Sequence, residues 1–168
     1  MKEVEMGCDI HAYIQVKDRE KAFWRAAKVY TADSDGCINL ATIPYTRDYE
    51  LFGWLTGGCV RADVDTAMDS PRGVPNELAE PIQKELDWWG NDAHSISYAT
   101  VQELEFAWQK LPKKVKEYNF ETDEYEKVKN QLRIRVSDFI RDCRTIAGMD
   151  YGFWGDDSQI MVVFWFDN

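Results

Sequence analysis

The sequence predicts an α+β fold: an antiparallel or mixed sheet, made from an N-terminal hairpin and a C-terminal strand, packed with about four helices. Three observations carry that expectation. Residues 8–17 alternate strictly between apolar and polar, residues 160–166 form an unbroken apolar run of strand length, and the chain between them carries helix caps and a 3.6-residue periodicity. A chain of 168 residues without repeats, low-complexity tracts or a linker is expected to form a single domain over 1–168.

In residues 8–17, Cys8, Ile10, Ala12, Ile14 and Val16 share one face, and Asp9, His11, Tyr13, Gln15 and Lys17 share the other. This pattern is a half-buried strand. A polar turn at 18–21 leads to a returning strand over 22–30, with Phe23 and Trp24 as its aromatic anchors. Residues 33–36 (Asp-Ser-Asp-Gly) are a turn; they lack the remaining ligands of a calcium loop. Thr46 is placed to cap a short helix through Leu55, ended by Gly57-Gly58. A long loop then runs to Pro75. A second helix starts near Pro81, a favoured first helical position, and ends at Trp89, with loop at 90–95. Thr100 and Glu103 form a capping box that opens a third helix, which Pro112 ends or kinks. Thr122 is expected to cap the longest helix, with Tyr125, Val128, Leu132, Val136, Phe139, Ile140, Cys143 and Ala147 as its apolar stripe before Gly148. The final run from Ile160 to Phe166 reads as a strand buried on both faces.

Composition narrows the function classes. Twenty Lys and Arg against thirty Asp and Glu give a formal charge of −10, so DNA, RNA and anionic membrane are not expected partners. No apolar run reaches the ~20 residues that span a bilayer, and the first six residues carry no signal-peptide core. Cys8, Cys37, Cys59 and Cys143 are widely spaced without a C-x-x-C pair, so free thiols in a reducing, cytoplasmic setting are expected. Met6-Gly7-Cys8 is not an acylation signal, because Gly7 is internal and position 11 is His. Seven Trp, eight Tyr and eight Phe exceed what one small core readily hides, and with the apolar last strand they suggest a two-fold homodimer.

Few residues could carry chemistry. Asp9 and His11 project side by side from the first strand, suited to metal ligation or acid–base work, while polar clusters of this kind more often brace neighbouring loops. The second histidine, His94, lies beside Asp92, Ser95 and Ser97. Asp9-Ile10-His11 matches the first block of metallophosphoesterases, but their later blocks are incomplete here. Arg47, Arg61 and Arg72 flank Gly- and Pro-rich turns near Tyr45, Tyr49, Phe52 and Trp54. Their guanidinium forks could share one anion pocket, or each could brace a loop through an ion pair.

The blocks Met6-Gly7-Cys8-Asp9-Ile10-His11-Ala12-Tyr13-Ile14, Arg47-Asp48-Tyr49-Glu50-Leu51-Phe52-Gly53-Trp54-Leu55, Pro71-Arg72-Gly73-Val74-Pro75 and His94-Ser95-Ile96-Ser97-Tyr98-Ala99-Thr100 occur in that order. As a set they resemble a family of small proteins of unassigned function encoded in bacteriophage and prophage genomes. The resemblance covers most of the first hundred residues and brings no established catalytic residue. The family follows its Leu-Phe helix with Ala-Gly-Val-Arg, where this chain has Thr56-Gly57-Gly58-Cys59-Val60-Arg61, so the place of Arg61 departs from the pattern.

By analogy with phage accessory proteins, the resemblance implies a protein of the host cytoplasm that counters host defence by sequestering a nucleotide-like signal. The expected ligand-binding residues are Asp9, His11, Tyr13, Arg47, Tyr49, Arg61, Arg72, His94, Ser95 and Ser97. No cofactor is expected. The alternatives are a hydrolase of such a ligand, using His94 and Asp92 with a divalent metal on Asp9, His11 and His94, and an acidic inhibitor that binds a host protein. Two histidines and scattered carboxylates complete no catalytic motif, which favours the binder. Residues 113–144 hold nine basic and seven acidic residues, which counts against a uniformly acidic mimic.

Overall fold

The computed structural model describes residues 7–28 and 47–167, and in it the C-terminal strand lies at the centre of the sheet. The strands β1 (Asp9–Val16), β2 (Arg25–Ala26), β3 (His94–Thr100) and β6 (Ile160–Asp167) form an antiparallel sheet in the order β2-β1-β6-β3. Four helices accompany it: α1 (Tyr49–Leu55), α2 (Glu80–Trp89), α3 (Val101–Gln109) and α4 (Gln131–Gly148). A separate hairpin pairs β4 (Lys114–Asn119) with β5 (Glu124–Lys129). The fold is α+β.

The unbroken apolar run of β6 follows from its position. Ile160, Val162, Phe164 and Phe166 enter the main core against α1, α3 and α4, while Trp165 enters a second, smaller core against Ile82 and Leu86 of α2. Period two sends alternate residues to opposite sides, so a strand covered on both sides has no polar face. The same cover corrects the reading of β1 as half-buried. Ile10, Ala12, Ile14 and Val16 face the main core as expected, but Tyr13 and Gln15 on the other side are also buried. Gln15 is tolerated there because its amide is used: Nε2 donates to Glu77 O at 3.0 Å, and Oε1 accepts from Ala79 N–H at 2.6 Å. That exchange fixes the chain entering α2.

Local signals hold at several elements. Thr100 and Glu103 form the capping box of α3, and Pro81 lies in the first turn of α2. Helix α1 is capped by Asp48, whose side chain accepts from Leu51 N–H at 3.1 Å; Thr46, the expected cap, lies outside the described residues. Asp48 also pairs with Arg135 at 2.7 Å, tying α1 to α4. Gly57, just past α1, has φ +60 with the Asp69 backbone 2.6 Å from where a Cβ would stand.

Three expectations are corrected. Residues 124–129 form β5, so Tyr125 and Val128 belong to a hairpin, and the long helix starts at Gln131 under an Asn130 cap. The spacing of Tyr125, Val128 and Leu132 mimics a helical stripe, but Glu-Tyr-Glu-Lys-Val-Lys pairs residue for residue with Lys-Val-Lys-Glu-Tyr-Asn. Strand β3 replaces part of the loop expected at 90–95. A bulge between His94 and Ser97, with Ser95 at φ +51, breaks its period two, and small Ser97 and Ala99 on its core side mask the apolar contrast. The returning strand is short, and Phe23 is 53% exposed and anchors nothing in the core. The turn at 33–36, Cys37 and the end of the expected strand 22–30 lie outside the described residues.

Candidate functional site

The start of β1, the end of β6 and the start of β3 lie together at one end of the sheet, and most of the expected site residues gather there. The register sorts them by face. His94 stands opposite Phe166, which stands opposite Ile10, so His94 faces the main-core side. His11 stands opposite Trp165 and faces α2. The two histidines are separated by two strand spacings, roughly 10 Å of backbone, but they project from opposite faces.

On the α2 side, a continuous run of contacts reaches from solvent to core. Arg47 Nε donates to Asp9 Oδ1 at 3.4 Å, and Asp9 N–H donates to Asp167 Oδ1 at 3.3 Å. His11 Nε2 lies 3.2 Å from Asp167 Oδ2, with both side chains 13% exposed. The imidazole lies between Trp165, on which it stacks at 5.8 Å, and Trp89, tilted by 40° at 4.4 Å, and Trp88, 76% exposed, meets Trp89 edge-on at 4.9 Å. Tyr13 stacks on the inner side of Trp165 at 5.3 Å, and its hydroxyl donates to Glu85 at 3.5 Å. It is 5% exposed, so it supports the stack and does not meet solvent.

On the main-core side, His94 Nε2 lies 3.9 Å from Cys8 Sγ and Nδ1 lies 3.1 Å from Ser95 Oγ, which in turn lies 3.9 Å from Cys59 Sγ. Cys8 N–H donates to the Tyr49 hydroxyl at 3.3 Å. The Cys8 thiol is pushed up to about 11, first by burial and then by the charges of Asp167 and Asp9, so it stays protonated at neutral pH. Cys8, Cys59 and Cys143 are free thiols, as expected.

The three arginines do not converge. Arg72 is a brace: its guanidinium donates to Glu103 at 3.0 Å, Asp69 at 2.8 Å and Tyr98 O at 3.4 Å. Its backbone N–H donates to buried Ser97 at 3.1 Å, holding the 70–73 loop along β3. Arg61 pairs side-on with Asp63 at 2.6 and 3.1 Å. Arg61 lines a cleft with Glu50, Leu111 and Leu132, and Arg72 lines another with Met68, Phe106 and Lys110. Arg47 differs from both. Its backbone has φ +58, its side chain is 60% exposed, and it packs over Gly7, where a Cβ would stand 2.8 Å from the guanidinium carbon. Among the described residues its guanidinium makes one long hydrogen bond, to half-exposed Asp9. Phe52 and Trp54 are fully buried core residues, and Tyr45 lies outside the described residues.

Two expectations change with this geometry. The set Asp9, His11 and His94 does not assemble, because the sheet separates its histidines; among the described residues no three His, Cys, Asp or Glu side chains group to hold a metal ion. Asp92 is exposed in the 3₁₀ turn Gly90–Asp92, and no hydrogen bond joins it to His94 among the described residues. Trp88, Trp89 and Asp167 join the site without having been singled out. A Trp-Trp pair on the last turn of a helix, directly before Gly90, was the available signal, whereas Asp167 is found only through its pairing with Asp9.

Searches of family models, of curated proteins and of solved structures find no match to this chain.

Proposed function

We propose that the protein binds and sequesters a small nucleotide-like ligand on the α2 side of this sheet end. The observation behind this reading is that the exposed Arg47, Asp9 and Trp88 are joined in one run of contacts through the mostly buried Asp167, His11 and Trp89. A phosphate can take the Arg47 fork in place of Asp9, because an ion pair this exposed is worth about 1 kcal/mol or less. Asp9, half-exposed, can accept from sugar hydroxyls or base amino groups, and Trp88 offers a face for a base. Arg61 and Arg72 have no part in this site. The resemblance to phage-encoded proteins supplies the setting, a host-defence signal held in the host cytoplasm.

The test is retention and return. The protein is incubated with cyclic dinucleotides and ADP-ribose derivatives and separated from free ligand; bound molecules are released by heat and identified by mass. Return of one intact ligand is expected, weakened in Arg47→Ala and Trp88→Ala and unaffected in Arg72→Ala. A new product would favour the hydrolase, and depletion of no ligand would leave the acidic protein-binding inhibitor.

A homodimer belongs to the same proposal, though on a narrower basis. The last strand is buried on both faces and gives no reason to associate, but Trp88, Tyr151 and Trp154 are at least 76% exposed. Light scattering that gives a 19.6 kDa species at micromolar concentration would refute it.

A further inference from the structure

The β4–β5 hairpin stands apart from both cores, and its sequence is segregated by charge. The register places Lys114 opposite Lys129, Lys116 opposite Lys127 and Tyr118 opposite Tyr125. With a period of two, these six residues share one face, and Val115, Glu117, Asn119, Glu124, Glu126 and Val128 share the other. Val115 and Glu117 line the cleft that also holds Leu111 and Leu132, so the valine and glutamate face turns toward the body and the lysine and tyrosine face turns outward. All four lysines are exposed, and none of them forms an ion pair among the described residues.

Folding alone does not account for this pattern. Like charges directly opposite each other destabilise a two-stranded ribbon, which is already marginal, and Lys116–Lys127, Lys114–Lys129 and Glu117–Glu126 are three such pairs. A single Lys to Glu exchange at any lysine rung would turn repulsion into attraction. The outward face also carries rings that gain nothing from the core: Tyr125 is 71% and Phe120 90% exposed, and both meet Tyr118 edge-on, at 5.2 and 5.0 Å. The Tyr118 hydroxyl donates to Asp123 in the turn, which holds the central ring in place.

We propose that this face docks single-stranded nucleic acid, with phosphates on the two lysine rungs and bases stacked on Tyr125, Tyr118 and Phe120. Lysine rungs followed by open aromatic rings are what a backbone-tracking, base-stacking surface requires. An anionic membrane is disfavoured, because the ribbon tip that would enter it carries Glu121, Asp123 and Glu124. The net charge of −10 spoke against nucleic acid as a bulk argument. Residues 114–129 carry four lysines against five carboxylates, but the register puts all four lysines on the outward face and Glu117, Glu124 and Glu126 on the opposite one, and at physiological ionic strength charge is screened over ~8 Å.

Fluorescence anisotropy of labelled oligothymidylate, titrated with the intact chain across a salt series, tests this. With four lysines engaged, the slope of log K against log salt should be near −2.8, from about −0.7 per phosphate neutralised. Lys116→Gln/Lys127→Gln should halve that slope to about −1.4, and Tyr125→Ala should weaken binding at least about fivefold with the slope kept. Near-UV circular dichroism checks that the core tryptophans are undisturbed; should the first lysine pair disturb them, Lys114→Gln/Lys129→Gln serves equally. Absence of binding, a slope indifferent to the lysine rungs, or capture by phosphatidylserine vesicles without oligonucleotide competition would overturn the proposal. Retention of a small ligand at the sheet end is unaffected by these variants, so the two readings fail separately.

Discussion

Removing the Asp150 carboxylate is expected to cost about 3 kcal/mol of stability. Asp150 follows α4, is 4% exposed and collects four donors: Arg25 Nη1 at 2.5 Å, Arg25 Nη2 at 3.1 Å, Lys28 N–H at 2.7 Å and Gly152 N–H at 3.0 Å. It clasps the segment after β2 to the end of the long helix. Asp150→Ala leaves two backbone donors and one guanidinium without that acceptor, and breaking a buried ion pair from one side costs about 3–5 kcal/mol. The lower end applies, because Arg25 keeps Asp18 at 3.3 Å and its side chain is 19% exposed. For a domain of this size the melting temperature should fall by about 6–12 °C. Asp150→Asn, which keeps an acceptor but no charge, should lose about half as much.

The pH dependence sharpens that test. Burial pushes the Asp150 carboxyl upward, but the Arg25 guanidinium and the Lys28 and Gly152 N–H groups outweigh it and hold it below the ordinary carboxylate value. A lowered folded pKa contributes stability that is complete above the unfolded value, about 3.9, and is lost as pH falls through the folded one. Urea titrations followed by tryptophan fluorescence should therefore show a constant gap between wild type and Asp150→Ala from neutral pH down to about 5, closing below about 4. A gap under about 1 kcal/mol at neutral pH, or one that persists in acid, would refute the reasoning.

Other expectations are as direct. Thr100→Ala removes the capping box of α3 and should lower stability by about 1 kcal/mol, read as a shift in the urea midpoint at constant slope. Gly57→Ala meets both a φ of +60 and the Asp69 backbone at 2.6 Å, so it should cost more than the ~1 kcal/mol of a left-handed residue alone, in the same assay. Iodoacetamide labelling mapped by peptide mass should modify exposed Cys59 before Cys8 and Cys143. Cys8, with its thiol at about 11, and fully buried Cys143 should react only after unfolding; early labelling of Cys8 would show that the sheet end opens.

Much of the fold was legible because its signals are local. The alternation in β1, the apolar run of β6, Pro81 at the head of α2 and the Thr100 box each lie within a few residues, and each is a direct consequence of backbone hydrogen bonding or side-chain period. What failed lacked local contrast. Residues 124–129 carry Lys and Glu, which suit a helix as well as an exposed ribbon, and only pairing with 114–119 decides between them. Strand β3 hides behind a bulge and small core-side residues. The candidate site divides in the same way. Asp9, His11, Arg47 and His94 could be named from their chemistry, and their meeting at one sheet end follows from β6 lying between β1 and β3. The tertiary structure alone decided which face each residue takes, since one inserted residue in a strand reverses side-chain direction. It also decided which arginines were already occupied: Asp63 and Asp69 stand two and three residues from Arg61 and Arg72, but only the folded loops turn each pair together and bring Glu103, 31 residues away, onto Arg72.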